Sequence, residues 1–228
     1  MIDPANLSGP RPEDELRLRF SDRLCDALHR GDLPTARLVI ADALEHDIAE
    51  GVIHDDIIRP AMASIGEFWA RGELTIADEH LATQISYRIV ALLQESLQAA
   101  DRRRTETVML AAPGGEEHVL GLQMAAGLLE GAGFPVQLLG ASVPVEALQS
   151  VVARHHPRVV GLSFTMPQAA VRAREAVEAV WRADPSIVIV CGGALAPPAL
   201  AGPQLEVLGE VGGVVEAVDG LLRRPHLN

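Results

Sequence analysis

Two hydrophobic rhythms divide the chain. From Glu13 to about Ala100 the apolar positions recur at helical spacing. Leu16, Phe20, Leu24 and Leu28 follow one another every four residues until Gly31-Asp32 ends the run. Pro34 suits the first turn of a second helix, whose stripe is read as Leu38, Ala41 and Ile48 and whose end is read at Gly51. A third helix is expected from about Asp55 to Ala70, with Pro60 as its candidate kink and Arg71-Gly72-Glu73 as its break. Thr75 precedes a long fourth helix with Leu81, Ile85, Ile89, Leu92 and Leu97 assigned to one face. Four helices with short connections predict a small bundle.

Beyond the charged segment Asp101-Arg102-Arg103-Arg104 the rhythm changes. Apolar runs of strand length occupy 107–112, 134–139, 158–164, 186–191 and 205–208, separated by helical patterns near 117–131, 144–155, 168–183 and 213–223. Alternating strand and helix predicts a parallel sheet covered on both faces, a doubly wound domain whose ligands sit beyond the carboxyl ends of the strands. The expected organisation is therefore a disordered leader over 1–12, a four-helix bundle over 13–100 and a five-stranded α/β domain over 101–228.

Composition narrows the choices. Aromatic residues make up only 3% of the chain, so Ala, Val, Leu and Ile must build the core. The formal charge of −12 disfavours a broad nucleic-acid-binding face. Cys25 and Cys191 lie too far apart in sequence to suggest a disulfide framework or a cysteine zinc site. No apolar stretch is long enough for a membrane span, and Met1-Ile2-Asp3-Pro4 does not open a signal peptide. A soluble cytoplasmic protein is expected.

Candidate chemistry gathers at three predicted strand ends. The first strand runs into Gly114-Gly115-Glu116-Glu117-His118, with Gly121 following. Neither a dinucleotide fingerprint nor a P-loop is present, and two carboxylates stand where a pyrophosphate would sit. His118 is placed to act as a ligand or base, with Glu116 fixing its tautomer, or else to be a solvated loop histidine. The third strand ends at Ser163-Phe164-Thr165 and the fourth at Cys191-Gly192-Gly193. The glycine pair admits either a close ligand approach or a tight turn.

Taken together, Glu116-x-His118-x-x-Gly121, Ser163-x-Thr165 and Gly192-Gly193 resemble the signature elements of cobalamin-binding domains, usually D-x-H-x-x-G, S-x-L and G-G. The resemblance implies a Rossmann-like domain that binds cobalamin (vitamin B12). His118 would be the lower axial ligand of cobalt, and Gly121 would admit the displaced benzimidazole tail. Ser163 would contact that tail, with Gly192 and Gly193 lining its pocket. Glu116 replaces the usual Asp and Thr165 the usual Leu. The Glu form is similar to the light-sensing, gene-regulating branch.

In the helical half, Trp69 is followed after nine residues by Glu79-His80, the motif of the bundle that caps cobalamin in CarH-type light-dependent regulators. The implied roles are an indole over the upper ligand and a carboxylate accepting from a ribose hydroxyl. These residues can equally be read as bundle core and a charged first turn. The histidine that directly follows the motif tryptophan in those repressors is here Ala70, leaving His80 and His54 as candidate substitutes. With only about 12 residues before the first bundle helix, the chain is similar to the sensor half of such regulators, or to stand-alone cobalamin-binding antirepressors. The implied function is a non-enzymatic light sensor carrying adenosyl-, methyl- or hydroxocobalamin. It would act on a protein partner such as a transcription regulator rather than on DNA, and could assemble as a homo-oligomer. The alternatives are a corrinoid carrier for a methyltransferase and a cobalamin store or escort.

Overall fold

The computed structural model describes residues 11–96 and 104–224. Residues 1–10 of the leader expected over 1–12, Leu97 of the fourth stripe, and Arg102 and Arg103 lie outside those residues, and Pro12 of that leader is already the first residue of a helix. The chain divides into two compact units, Met1–Ile89 and Val90–Asn228.

In the first unit, helix α1 (Pro12–His29) opens on Pro12, with Glu13, Asp14 and Glu15 in its first turn, where carboxylates favour the positive end of the helix dipole. It buries Phe20, Leu24 and Leu28, as the four-residue spacing predicts. Helix α2 (Leu33–Glu45) is capped by Asp32, whose carboxylate accepts from the Thr35 amide at 3.0 Å. Its buried face differs from expectation. Ala36, Val39, Ile40 and Ala43 point inward, whereas Leu38 is 68% exposed and Ala41 faces solvent. Two apolar rows compete on this helix, and the row containing two alanines lets α2 approach its packing partner α1 closely. The helix also stops at Glu45, well before Gly51, and Asp47 adopts a left-handed φ of 56°.

The third helical segment begins earlier than expected. It runs through α3 (Glu50–Val52), a π-helical stretch (Ile53–Ile58) and α4 (Arg59–Ala70), so Gly51 lies inside it. Pro60 offers no N–H to the preceding turn and its ring crowds the carbonyl four residues back; the widened π turn just upstream accommodates both defects. Helix α5 (Ile76–Ser96) starts with a reciprocal cap. Thr75 N donates to Asp78 Oδ2 at 2.9 Å, and Asp78 N donates to Thr75 Oγ1 at 3.2 Å. It buries Ala82, Ile85, Ile89, Val90 and Leu93, while Leu81, assigned to that stripe from spacing, is half exposed. The boundary between the two units falls inside this helix, between Ile89 and Val90. Within the second unit, Gln94 Nε2 donates to the Gln123 carbonyl at 2.7 Å.

The second unit is a five-stranded parallel sheet in the order β2-β1-β3-β4-β5. Its strands are β1 (Val108–Pro113), β2 (Val136–Val143), β3 (Val159–Ser163), β4 (Val188–Gly192) and β5 (Leu205–Val207). Strand β2 extends four residues past its expected end, with register irregularities opposite Leu110, Ala111 and Pro113. Side chains alternate across the sheet. Met109, Ala111, Val160, Leu162, Ile189 and Cys191 form one core with α7 (Val145–His155), α8 (Pro167–Ala170) and α9 (Ala173–Ala183). Val108, Leu110, Ala112, Val159, Val188 and Val190 form the other with α6 (Leu120–Gly131) and α10 (Val214–Arg223). Arg104 belongs to this unit rather than to a free basic cluster. Its guanidinium binds the Asp219 carboxylate, donates to the Ala132 carbonyl at 3.1 Å and lies 4.1 Å from the centre of the Phe134 ring. It is therefore not available to neutralise phosphates.

Candidate functional site

The strand order reverses at β1 and β3, and the loops leaving these two strands hold the key side chains. In doubly wound sheets this is where the connections diverge and a crevice opens. After β1 the chain turns through Gly115 (φ 90°), and Ser142 braces the turn by accepting from the Gly115 amide at 3.2 Å. The turn buries Glu116 completely. The Glu116 carboxylate accepts from the amides of His118 (2.9 Å), Met166 (2.7 Å) and Thr165, and from Thr165 Oγ1 at 2.8 Å. Burial alone pushes its carboxyl up, but these donors more than offset it and the group is held below the usual glutamate range.

The hydrogen bonds define the state of His118. An ionised carboxylate only accepts, so the single hydroxyl proton of Thr165 is committed to Glu116. Thr165 Oγ1 must then accept from His118 Nδ1, which lies 3.0 Å away. A neutral His118 thus carries its proton on Nδ1 and presents the Nε2 lone pair outward, on a side chain 67% exposed. Glu116 was expected to bond the imidazole directly. Instead Thr165 occupies that place and Glu116, longer than the usual Asp, reaches beneath to the backbone of the β3 loop; its Oε1 remains 3.3 Å from Nδ1.

Small residues leave open space in the same set of loops. A Cβ added to Gly121 or Gly192 would meet no atom within 4 Å. Gly193 serves the backbone instead: its φ is 97°, and an added Cβ would fall 2.5 Å from the Phe164 carbonyl oxygen. Ser163 ends β3 beside Gly192 and is nearly buried. Cys191, next to the pair, is buried, which pushes its thiol up to about 12.

In the first unit, Trp69 is 48% exposed and so is not a core residue. Ala70 ends α4 and is also exposed. Glu79 is held at both oxygens: Thr83 Oγ1 donates to Oε1 at 2.8 Å, and His80 Nδ1 lies 2.8 Å from Oε2. His54 is fully buried in the π turn, with Nε2 3.4 Å from Glu50 and neither ring nitrogen hydrogen-bonded. Sequence reasoning overlooked Thr83 and Ser142. Thr83 was signalled by its four-residue offset from Glu79; Ser142 lies in the part of β2 that the pattern did not reach.

An exposed imidazole with a fixed tautomer, at the carboxyl ends of β1 and β3, offers a nitrogen donor of the kind a metal-bearing cofactor can take. The comparisons with known proteins identify the family. A B12 binding domain model matches residues 106–219, and a second B12 binding domain model matches residues 21–94. The chain is 39% identical over 117 residues to the HTH-type transcriptional repressor CarH of Myxococcus xanthus, covering 51% of this chain and 38% of that protein. It is 30% identical over 139 residues to the HTH-type transcriptional repressor CarA of the same organism, covering 61% and 46%. The chain thus spans less than half the length of these curated relatives. The monomethylamine corrinoid protein of Methanosarcina barkeri shares the fold, with a TM-score of 0.73, 15% identity, and coverage of 88% of this chain and 97% of that one. The chain belongs to the B12-binding domain family and binds cobalamin.

Proposed function

We propose that this protein is a non-catalytic, cobalamin-based light sensor that regulates transcription through a protein partner, with the helical region capping the cofactor and the sheet region carrying it. The observation that carries the mode of binding is His118 in the Nδ1–H state with Nε2 facing outward. His118 would hold cobalt from below. Thr165 and Glu116 would keep the ring oriented, and Gly121, Ser163, Gly192 and Gly193 would line the space for the displaced tail. When bound, cobalamin would supply a metal open to a nitrogen ligand and, with an organic upper group, a light-labile cobalt–carbon bond. Trp69, Glu79 and His80 would cover that upper group. A helical unit that has given up those contacts would present a different surface to its partner, a population shift driven by differential contacts. The likeness to two transcriptional repressors supports a regulatory role.

The test is the absorption spectrum of the protein loaded with adenosyl- or methylcobalamin, before and after green light, for wild type and His118→Ala. Base-off spectra that depend on His118 and change on illumination are expected, with a light-dependent change in binding to a regulator. A spectrum and affinity indifferent to His118 would overturn the ligand assignment. Methyl transfer to an acceptor without a light response would replace the sensor by a carrier.

A further inference from the structure

Among the described residues, Asp47, Ser142 and His156 have a left-handed backbone without being glycine. Asp47 and His156 follow the ends of α2 and α7, where such conformations are common. Ser142, with a φ of 51°, lies instead inside strand β2. The strand is irregular there. Ala111 pairs with Gly140 and Pro113 with Val143, so β2 carries one residue more than β1 over this stretch. A bulge of this kind re-aims a side chain, and a left-handed serine is strained unless its surroundings hold it.

The bulge brings the hydroxyl and the amide of Ser142 onto one turn. Its Oγ accepts from the Gly115 amide at 3.2 Å, and its own amide donates to the Glu116 carbonyl at 2.9 Å. The two bonds span Gly115 and Glu116 and fix the backbone from which the buried Glu116 carboxylate starts. From there the contacts run on to Thr165 Oγ1 and from Thr165 to His118 Nδ1. We propose that Ser142 is a positioning residue for the cobalt ligand: the β2 bulge holds Glu116 in place and, through Glu116 and Thr165, keeps His118 in the Nδ1–H state. This role presupposes the binding mode described above. Glycine would adopt the same backbone freely but could not accept from the Gly115 amide. Ser142→Gly therefore separates a role in folding from a role in positioning.

The experiment compares the full chain as wild type, Ser142→Gly, Ser142→Ala and His118→Ala, first without cofactor and then with hydroxocobalamin. Without cofactor, the imidazole nitrogen shifts of His118 report its tautomer and hydrogen exchange reports the Gly115 amide. Wild type should show the Nδ1–H form. Ser142→Gly should melt no lower than Ser142→Ala, because it relieves the left-handed strain. Both variants should nevertheless mix the two tautomers and speed exchange at Gly115 by roughly two- to tenfold, the range for one net hydrogen bond. With hydroxocobalamin, both should bind about tenfold more weakly, the lower end of the effect of losing a group that orients a metal ligand. A wild-type tautomer and wild-type affinity in Ser142→Gly overturn this proposal alone. A spectrum and affinity indifferent to His118 remove the underlying binding mode and this proposal with it.

Discussion

Gly192 and Gly193 are adjacent, yet their missing side chains answer to different constraints. At Gly193 the backbone is left-handed and an added methyl would press on the Phe164 carbonyl; at Gly192 the same methyl would enter open space. Gly193→Ala should therefore destabilise the fold by about 2–4 kcal/mol, combining left-handed strain with overpacking. Gly192→Ala should leave stability within about 0.5 kcal/mol, the usual range where nothing is touched, and lower cobalamin affinity instead. Urea unfolding of the two variants separates the cases, and equal losses would contradict the assignment. The motif spacing named both glycines but could not divide their labour, because φ and neighbouring backbone are set by the β3 and β4 loops together. The same holds for Thr165. Sequence marked it as a departure from leucine, whereas its place between His118 and Glu116 depends on two loops 47 residues apart in the chain.

At the level of elements, the central strands β3 and β4 were legible because short, buried runs rich in valine and isoleucine leave little choice, and helix α1 because Leu16, Phe20, Leu24 and Leu28 form a row that outweighs the exposed Leu18. Helix α2 was misread because it carries two such rows, and only packing against α1 selects one. The start of the third helical segment was missed because Gly51, an ordinary helix breaker read as the end of the second helix, lies instead in its first turn, just before the π stretch. The Arg104–Asp219 pair, which ties the segment before β1 to α10, was invisible for another reason: its partners are 115 residues apart. Its pH dependence follows from its charges. The hydrogen bond from Arg104 holds the Asp219 carboxyl below its usual value. The stabilisation is thus fully present above the unfolded aspartate pKa of about 3.9 and is lost as pH falls through the lower folded value. Asp219→Asn should cost about 1 kcal/mol at pH 7, since both side chains retain some solvent contact. That difference from wild type should shrink toward zero in chemical-denaturation curves at about pH 2–3. A cost that stays constant down to that pH would mean the charge of Asp219 contributes nothing.

For the whole molecule, helix α5 is the feature with the widest reach. Its first turns carry Glu79, His80 and Thr83, and its last turns carry Gln94, whose amide is bonded to the sheet unit's first crossover helix. One unbroken ladder of hydrogen bonds therefore belongs to both compact units, and neither can melt fully without fraying an element of the other. Thermal unfolding of the cofactor-free chain should accordingly be one cooperative transition. Arg88 is exposed near the midpoint of that helix, so Arg88→Pro interrupts the ladder without removing a core side chain, at a cost of about 3 kcal/mol or more. Calorimetry of this variant should resolve two heat-absorption peaks where the wild type gives one. Two peaks already present in the wild type would mean that the shared helix yields first, and that its two halves report on separate melting events.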